Sequence, residues 1–190
     1  MMINKTVSYY NNADDSKSKI RYNLDYVLGM IRDDQELFQQ TVRLRSISTE
    51  EEYKQAKKLL PMIAPSGVFD YRNDNPENLR EYSNVLVLDF DHFQNHLDAG
   101  EFKRNLIDNA DRLYIYALWF SPSGLGVKVA MLHDNTTPMY HNELFRCIRE
   151  QLYPGIPEFD DKCGNLSRTF FLSSDPEIYI NPQQIGRAHV

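Results

Sequence analysis

The sequence predicts an α/β or α+β fold built on a mixed sheet, and three observations lead there. Val85-Leu86-Val87-Leu88 is an unbroken aliphatic run, two of its residues β-branched, as in a strand buried on both faces. Residues 113–120 and 127–132 are aliphatic and aromatic runs joined by Ser121-Pro122-Ser123-Gly124, which reads as a hairpin through a glycine turn. Elsewhere apolar residues recur at helical spacing, as at Ile20, Leu24, Val27, Leu28 and Ile31.

Taken in order, residues 6–10 suit a short strand and 11–18 a polar loop. The periodic stretch from Ile20 predicts an amphipathic helix running on towards Phe38. Thr49 followed by Glu52 has the form of a capping box and opens a helix to about Leu60, which Pro61 and Pro65 end. Ser66-Gly67-Val68-Phe69 is a turn entering a short strand, and residues 72–78 form a polar loop. After the strand at 85–88, Phe102, Leu106 and Ile107 suit a helix closing near Asp111. Pro138 stands where a further helix starts, with Leu144, Ile148 and Leu152 on its apolar side, and residues 169–172 are a last strand before Asp175-Pro176.

The 190 residues suit one sizeable domain, taken here as residues 1–184. Apolar residues at 42% and charged residues at 25% are ordinary for a globular protein with a packed core. No apolar run approaches the roughly 20 residues that span a bilayer, and no basic-plus-apolar signal pattern opens the chain, so a cytoplasmic protein without membrane partners is expected. Cys147 and Cys163 are too few for a disulfide framework and read as free thiols. A formal charge of −6 argues against non-specific coating of nucleic acid, but leaves room for a local basic groove beside acids. Residues 185–190 match one reading frame of a common sequencing adapter and are expected to be a non-native tail.

Three segments carry candidate chemistry. Asp89 and Asp91 follow the aliphatic run one residue apart, so alternation puts them on one strand face, with Cα atoms about 7 Å apart and carboxylates able to converge on divalent cations. Acids that merely cap a turn at a strand end give the same pattern. Ser121-Pro122-Ser123-Gly124-Leu125-Gly126-Val127-Lys128 sets hydroxyls and glycines before a lysine, which fits a phosphate-binding turn as well as an ordinary glycine hairpin; the P-loop spacing is absent. Asp160-Asp161 precedes a polar turn and Arg168, a pattern that brings a third carboxylate and a fork-shaped phosphate ligand, or only a surface ion pair.

Together these segments resemble the VirE-type N-terminal domain family of the archaeo-eukaryotic primase superfamily. The likeness rests on Asp89-Phe90-Asp91, on the turn from Ser121 to Lys128, on Asp161-Lys162 with Ser167-Arg168 and Phe171-Leu172-Ser173-Ser174-Asp175-Pro176, and on Lys58-Leu59-Leu60-Pro61 with Ser66-Gly67-Val68-Phe69 upstream. What the resemblance implies is a primase-polymerase palm with an RRM-like sheet beside an N-terminal α/β unit. It also implies metal-dependent nucleotidyl transfer in DNA replication, as of a mobile element. Asp89, Asp91 and Asp161 would then hold Mg²⁺ or Mn²⁺ as catalytic residues, and Ser121, Ser123, Gly124, Gly126, Lys128 and Arg168 would bind the nucleotide. The implied partners are a nucleoside triphosphate, a DNA template and a fused or associated helicase. Lys128 stands where many superfamily members have histidine, which replaces an imidazole by an ammonium.

Two other readings come from different classes. One is a non-catalytic nucleotide or nucleic-acid-binding module of a larger protein. The other is a haloacid-dehalogenase-type phosphatase, with Asp89 as nucleophile, although His92-Phe93 rather than Gly-Thr follows the acids. His92 and His96 have i, i+4 spacing but no evident third ligand, and read as surface or helix-end residues. Trp119 and its aromatic neighbours read as core, and Arg43, Arg45, Lys54, Lys57 and Lys58 as a solvated helix face.

Overall fold

The computed structural model describes residues 3–17, 19–73 and 75–182, and the backbone of 187–188. In chain order it contains β1 (Thr6–Tyr10), β2 (Arg21–Asn23), α1 (Leu24–Asp33), α2 (Gln35–Arg45), α3 (Glu50–Lys57), β3 (Met62–Ala64), β4 (Gly67–Phe69) and β5 (Leu79–Tyr82). There follow β6 (Val85–Phe90), α4 (His96–Asp108), β7 (Ile115–Phe120), β8 (Val127–His133), α5 (His141–Leu152), β9 (Phe170–Phe171), β10 (Tyr179–Ile180) and β11 (Arg187–Ala188). This is the α+β class expected from the sequence. No helix among the described residues is long and apolar enough to cross a membrane.

Two sheets frame the molecule. An N-terminal sheet has the order β2-β1-β3-β9 and is antiparallel throughout. In the larger sheet β10, β7, β8 and β6 lie side by side and antiparallel, while β11 joins β8 in parallel; β4 and β5 form a separate ribbon. Apart from β11, the expected tail at 185–190 lies outside the described residues, as do Ser18 and Asp74 of the polar loops.

All six residues of β6 are buried, as an aliphatic strand covered on both faces requires, although among the described strands it pairs with β8 alone. On one face Phe90 stacks against Phe102 of α4 and against Tyr153 and Phe159, with ring centroids 4.9–5.2 Å apart. Alternation turns Asp89 to the opposite face, towards the N-terminal sheet. The far edge of β6 is covered at its end by residues 158–160: Asp160 N donates to Asp89 O at 2.9 Å and Asp91 N to Glu158 O at 2.8 Å. This backbone pairing brings a segment distant in sequence to the acid strand.

Several elements differ from the sequence expectation, each for a local reason. The helix predicted from Ile20 begins at Leu24, because Asn23 caps it through its side chain and residues 21–23 pair with β1. It stops at Asp34, whose extended backbone ends α1 while its carboxylate accepts from Leu37 N and starts α2. Thr49 does begin α3, yet its hydroxyl donates to the Glu52 carboxylate at 2.6 Å instead of closing a capping box onto the backbone. Trp119 is fully buried, in keeping with a core role.

Residues 170–175 tie the parts together. Leu172 N donates to Pro61 O, Ser174 N to Thr41 Oγ1 and Asp175 N to Ile31 O, while Ser173 Oγ donates to Phe120 O. Asp175 accepts from Lys103 Nζ at 2.7 Å and from Phe120 N at 2.8 Å, in an ion pair whose side chains are 4–5% exposed. The Ser-Ser-Asp-Pro run is thus a structural rivet between α1, α2, α4 and β7.

Candidate functional site

A cleft of about 350 Å³ opens between the two sheets, where the C-terminal end of β6 faces β9. Its walls carry carboxylates from Asp89, Asp91 and Asp160, cations from Lys57, Lys128 and Arg168, and the hydroxyls of Ser121, Ser123 and Thr169. Phe170 and Phe171 form the apolar side. Here an anionic and a cationic set share one small volume, the arrangement that a phosphate-bearing ligand with a divalent cation requires.

Of the acids lining the cleft Asp89 is the deepest, 9% exposed. Lys128 lies directly opposite it in the β6–β8 register, and Lys128 Nζ donates to Asp89 Oδ2 at 2.6 Å. The other oxygen, Oδ1, is buried without a hydrogen-bond partner. A buried carboxylate oxygen left bare is costly, so a further positive or donor group fits here. Lys128 also rests over the Phe170 ring, 5.1 Å from its centroid, which fixes its ammonium within the cleft.

Asp160 reaches Asp89 through the backbone pairing described above, and Phe159 beneath it faces Phe90. Its carboxylate caps the 3-10 turn at Asp161–Gly164 by accepting from Lys162 N at 3.0 Å. Arg168 donates to its Oδ2 at 3.0 Å and the Cys163 thiol at 3.3 Å. Burial pushes the Asp160 carboxyl up, but the Lys162 N–H, the Cys163 thiol and the charge of Arg168 together hold it below the ordinary carboxylate value. Cys163 is 2% exposed, and burial raises its thiol to about 12. Ligand atoms of Asp89, Asp160 and Cys163 lie within 4.8 Å of one another.

The expected third ligand, Asp161, does not join them. Its side chain is 71% exposed and pairs with Arg149 Nε at 3.1 Å, on the outer side of the turn. Asp160 takes the place assigned to Asp161, because the Asp160 N to Asp89 O bond sets which of two adjacent carboxylates faces inward. Asp91 lines the cleft outside the tight cluster, with Oδ1 accepting from His92 N at 2.9 Å.

The turn at 121–126 is largely bonded to itself. Ser121 N donates to Gly126 O, Gly124 N to Ser121 O and Leu125 N to Ser123 Oγ. Gly124 holds φ at 74°, and a Cβ on Gly126 would stand 2.7 Å from Phe90 O and 2.8 Å from Asp91 Oδ1. These glycines therefore shape the turn and let it close on the acid strand, but they are not among the residues lining the cleft. From this hairpin the Ser121 and Ser123 hydroxyls, 3.1 Å apart, and Lys128 face the cleft.

Two cations assigned to a solvated helix face belong to this region. Arg45 braces the turn by donating to Pro122 O and Ser121 O, each at 3.1 Å. Lys57, at the end of α3, lines the cleft, and burial followed by the charge of Lys128 pushes its ammonium below the ordinary value. Its helical register is the one sequence signal: Tyr53 and Lys57 lie one turn apart, and both are less exposed than Lys54 and Lys58. His96 Nδ1 meets Gly124 O at 3.1 Å as a helix-end contact, while His92 lies before α4 with φ at 68°, so the pair forms no metal site.

No curated protein and no solved structure matches the chain. The comparison with family models corrects the resemblance drawn from the motifs, for the match is not to the VirE-type family of the primase superfamily. The segments from Lys58 to Pro176 that carried the likeness all lie inside the matched span, and the structure explains several as local devices: a self-bonded glycine turn, a capped 3-10 turn and a buried rivet. The palm description, the replication setting and the expected helicase rested on that resemblance. The match is to the BT4734-like, N-terminal domain over residues 54–180, well over half of the chain, and the protein belongs to that family.

Proposed function

We propose that the cleft binds a nucleoside triphosphate together with a divalent cation and transfers its nucleotidyl group to a polynucleotide hydroxyl. The observation that carries this reading is the opposed set of charges: Asp89 and Asp160 converge at the floor, while Lys57, Lys128 and Arg168 line the walls above them. Lys57 and Lys128 would neutralise phosphate oxygens as point charges, and Arg168 would offer its planar fork. The Ser121 and Ser123 hydroxyls would donate to the same oxygens. Asp91, at the edge of the cluster, would take the proton of the attacking hydroxyl. A divalent cation held by Asp89 and Asp160 would supply charge stabilisation where the pyrophosphate leaves.

Isothermal titration with Mn²⁺ and a deoxynucleoside triphosphate, followed by incorporation onto a primed DNA template, tests this. The wild-type chain is expected to bind and incorporate, and Asp89→Ala to lose incorporation while remaining folded. Wild-type incorporation by Asp89→Ala refutes the assignment.

A second reading has its own support. Lys128 already closes onto Asp89 at 2.6 Å, as in a site that neutralises its own acid and only holds a ligand. Nucleotide binding without turnover across primed, unprimed and RNA templates favours that module. Phosphate release from a monoester, with an acyl-phosphate trapped at Asp89, favours the phosphatase.

A further inference from the structure

The cation position has a donor that neither the strand acids nor the glycine turn announces. Asp160 and Cys163 sit three residues apart in one turn, Asp160 as its N-cap and Cys163 within it, and both point at Asp89. The turn is held firmly: a Cβ on Gly164 would stand 2.8 Å from Phe145 of α5, so no slack separates it from the helix. Asp89 comes from the other side, on a fully buried strand. Two rigid elements therefore present two carboxylates and one sulfur, their ligand atoms within 4.8 Å of one another.

A second observation is the state of Asp89 Oδ1. The residue is 91% buried, Lys128 satisfies only Oδ2, and Oδ1 has no partner. Native interiors rarely leave such an oxygen bare. Cys163 is buried where the apolar core meets the cleft, and its thiol donates to Asp160 Oδ2 at 3.3 Å.

We propose that Asp89, Asp160 and Cys163 form a mixed carboxylate–thiolate site for a borderline-soft divalent metal of the zinc class, not for Mg²⁺. Mg²⁺ demands oxygen ligands in near-octahedral geometry, whereas thiolate selects Zn²⁺ and its neighbours. Three protein donors leave a fourth position open towards the cleft, the pattern of a catalytic rather than a structural zinc site. On binding, the S–metal bond forms as the thiol proton leaves to solvent, so the metal is held more weakly as pH falls. This deepens the reading of the cleft as a cation-dependent phosphate site, and rests on it only for the use to which the metal is put.

Cobalt(II) titration of the full chain tests the site, since thiolate ligation gives an intense near-ultraviolet charge-transfer absorption that carboxylates alone do not. The expected result is a band that saturates at a single equivalent, is displaced by Zn²⁺ and not by excess Mg²⁺. It should persist in Cys147→Ser and vanish in Cys163→Ser, with Asp160→Asn lowering Co²⁺ affinity by tenfold or more. Circular dichroism of all three variants guards against loss of fold, and Asp160→Asn keeps the thiol in place as an independent check. A wild-type chain that gives no band, a band that survives Cys163→Ser, or one that Mg²⁺ displaces as readily as Zn²⁺ overturns the proposal. The two readings part cleanly. A thiolate band without nucleotide binding keeps the metal site and removes the nucleotidyl-transfer reading; Mg²⁺-supported incorporation undiminished in Cys163→Ser, with no band, does the reverse.

Discussion

Lys128→Met removes the ammonium that faces Asp89 and leaves a side chain of similar length against Phe170. In the wild-type chain the pair is 2.6 Å apart, with side chains 6% and 12% exposed. Taking away one partner strands a buried carboxylate whose second oxygen is already bare, and breaking a buried pair in this way costs about 3–5 kcal/mol. For a domain of this size that is a fall in Tm of roughly 6–20 °C. The same vacancy increases the attraction of the cluster for a cation, so Zn²⁺ or Mn²⁺ should raise the Tm of Lys128→Met by more than it raises that of the wild-type chain. The double variant Asp89→Asn with Lys128→Met should recover much of the lost stability and lose the metal response. Thermal melts followed by circular dichroism, with and without metal, read all of these. A Lys128→Met chain as stable as wild type, or one whose melting ignores the metal, refutes the view that Lys128 and a cation neutralise the same acid.

Three further outcomes follow from the geometry. Asp161→Ala should change stability by less than about 1 kcal/mol and leave metal and nucleotide titrations unchanged, because its ion pair with Arg149 is exposed, whereas Asp160→Ala should abolish metal binding; equal losses in the two would restore Asp161 to the site. Asp175→Ala should lower stability by about 3–5 kcal/mol in urea unfolding, since it strands Lys103 in the interior, and a loss under 1 kcal/mol would deny the rivet its role. Burial holds His133 and His141 down to about 4, so below pH 6.5 the unfolded chain takes up protons that the folded chain refuses. Their contribution is complete above pH 6.5 and drains away towards pH 4, by at most about 3 kcal/mol for each. His133→Leu, which also removes two buried ring nitrogens without partners, should flatten the slope between pH 6.5 and 4 in urea melts, and an unchanged slope would contradict this.

The central parts of fold and site were legible because each is written in contiguous residues. The run Val85-Leu86-Val87-Leu88-Asp89 specifies a buried strand with an acid at its end, and the glycine turn before Lys128 specifies the hairpin that lays an ammonium opposite that acid. What stayed hidden is set by tertiary pairing. Nothing local distinguishes Asp160 from Asp161; the backbone bond from Asp160 to Asp89 decides which faces inward, although Phe159 as the apolar neighbour was a hint. Lys57 is one of several lysines on a polar helix until the fold lays its ammonium over the Phe171 ring of β9. Cys163 reads as a lone thiol until its turn folds against Asp89. The break between α1 and α2 was misread because apolar spacing continues across it, while a single capping aspartate ends one helix and begins the next. Strands of two to four residues, such as β2, β3, β5 and β10, are too short for any period to show and exist only because a neighbour pairs with them.

Anomalous scattering from crystals soaked in Zn²⁺ locates a cation without relying on turnover. The expected difference map has its strongest peak within coordination distance of Asp89 Oδ1 and an Asp160 carboxylate oxygen, beneath Lys128. A map empty at that point, or one whose peak lies at Asp161 or away from the cleft, contradicts a cation held between β6 and the turn at 161–164.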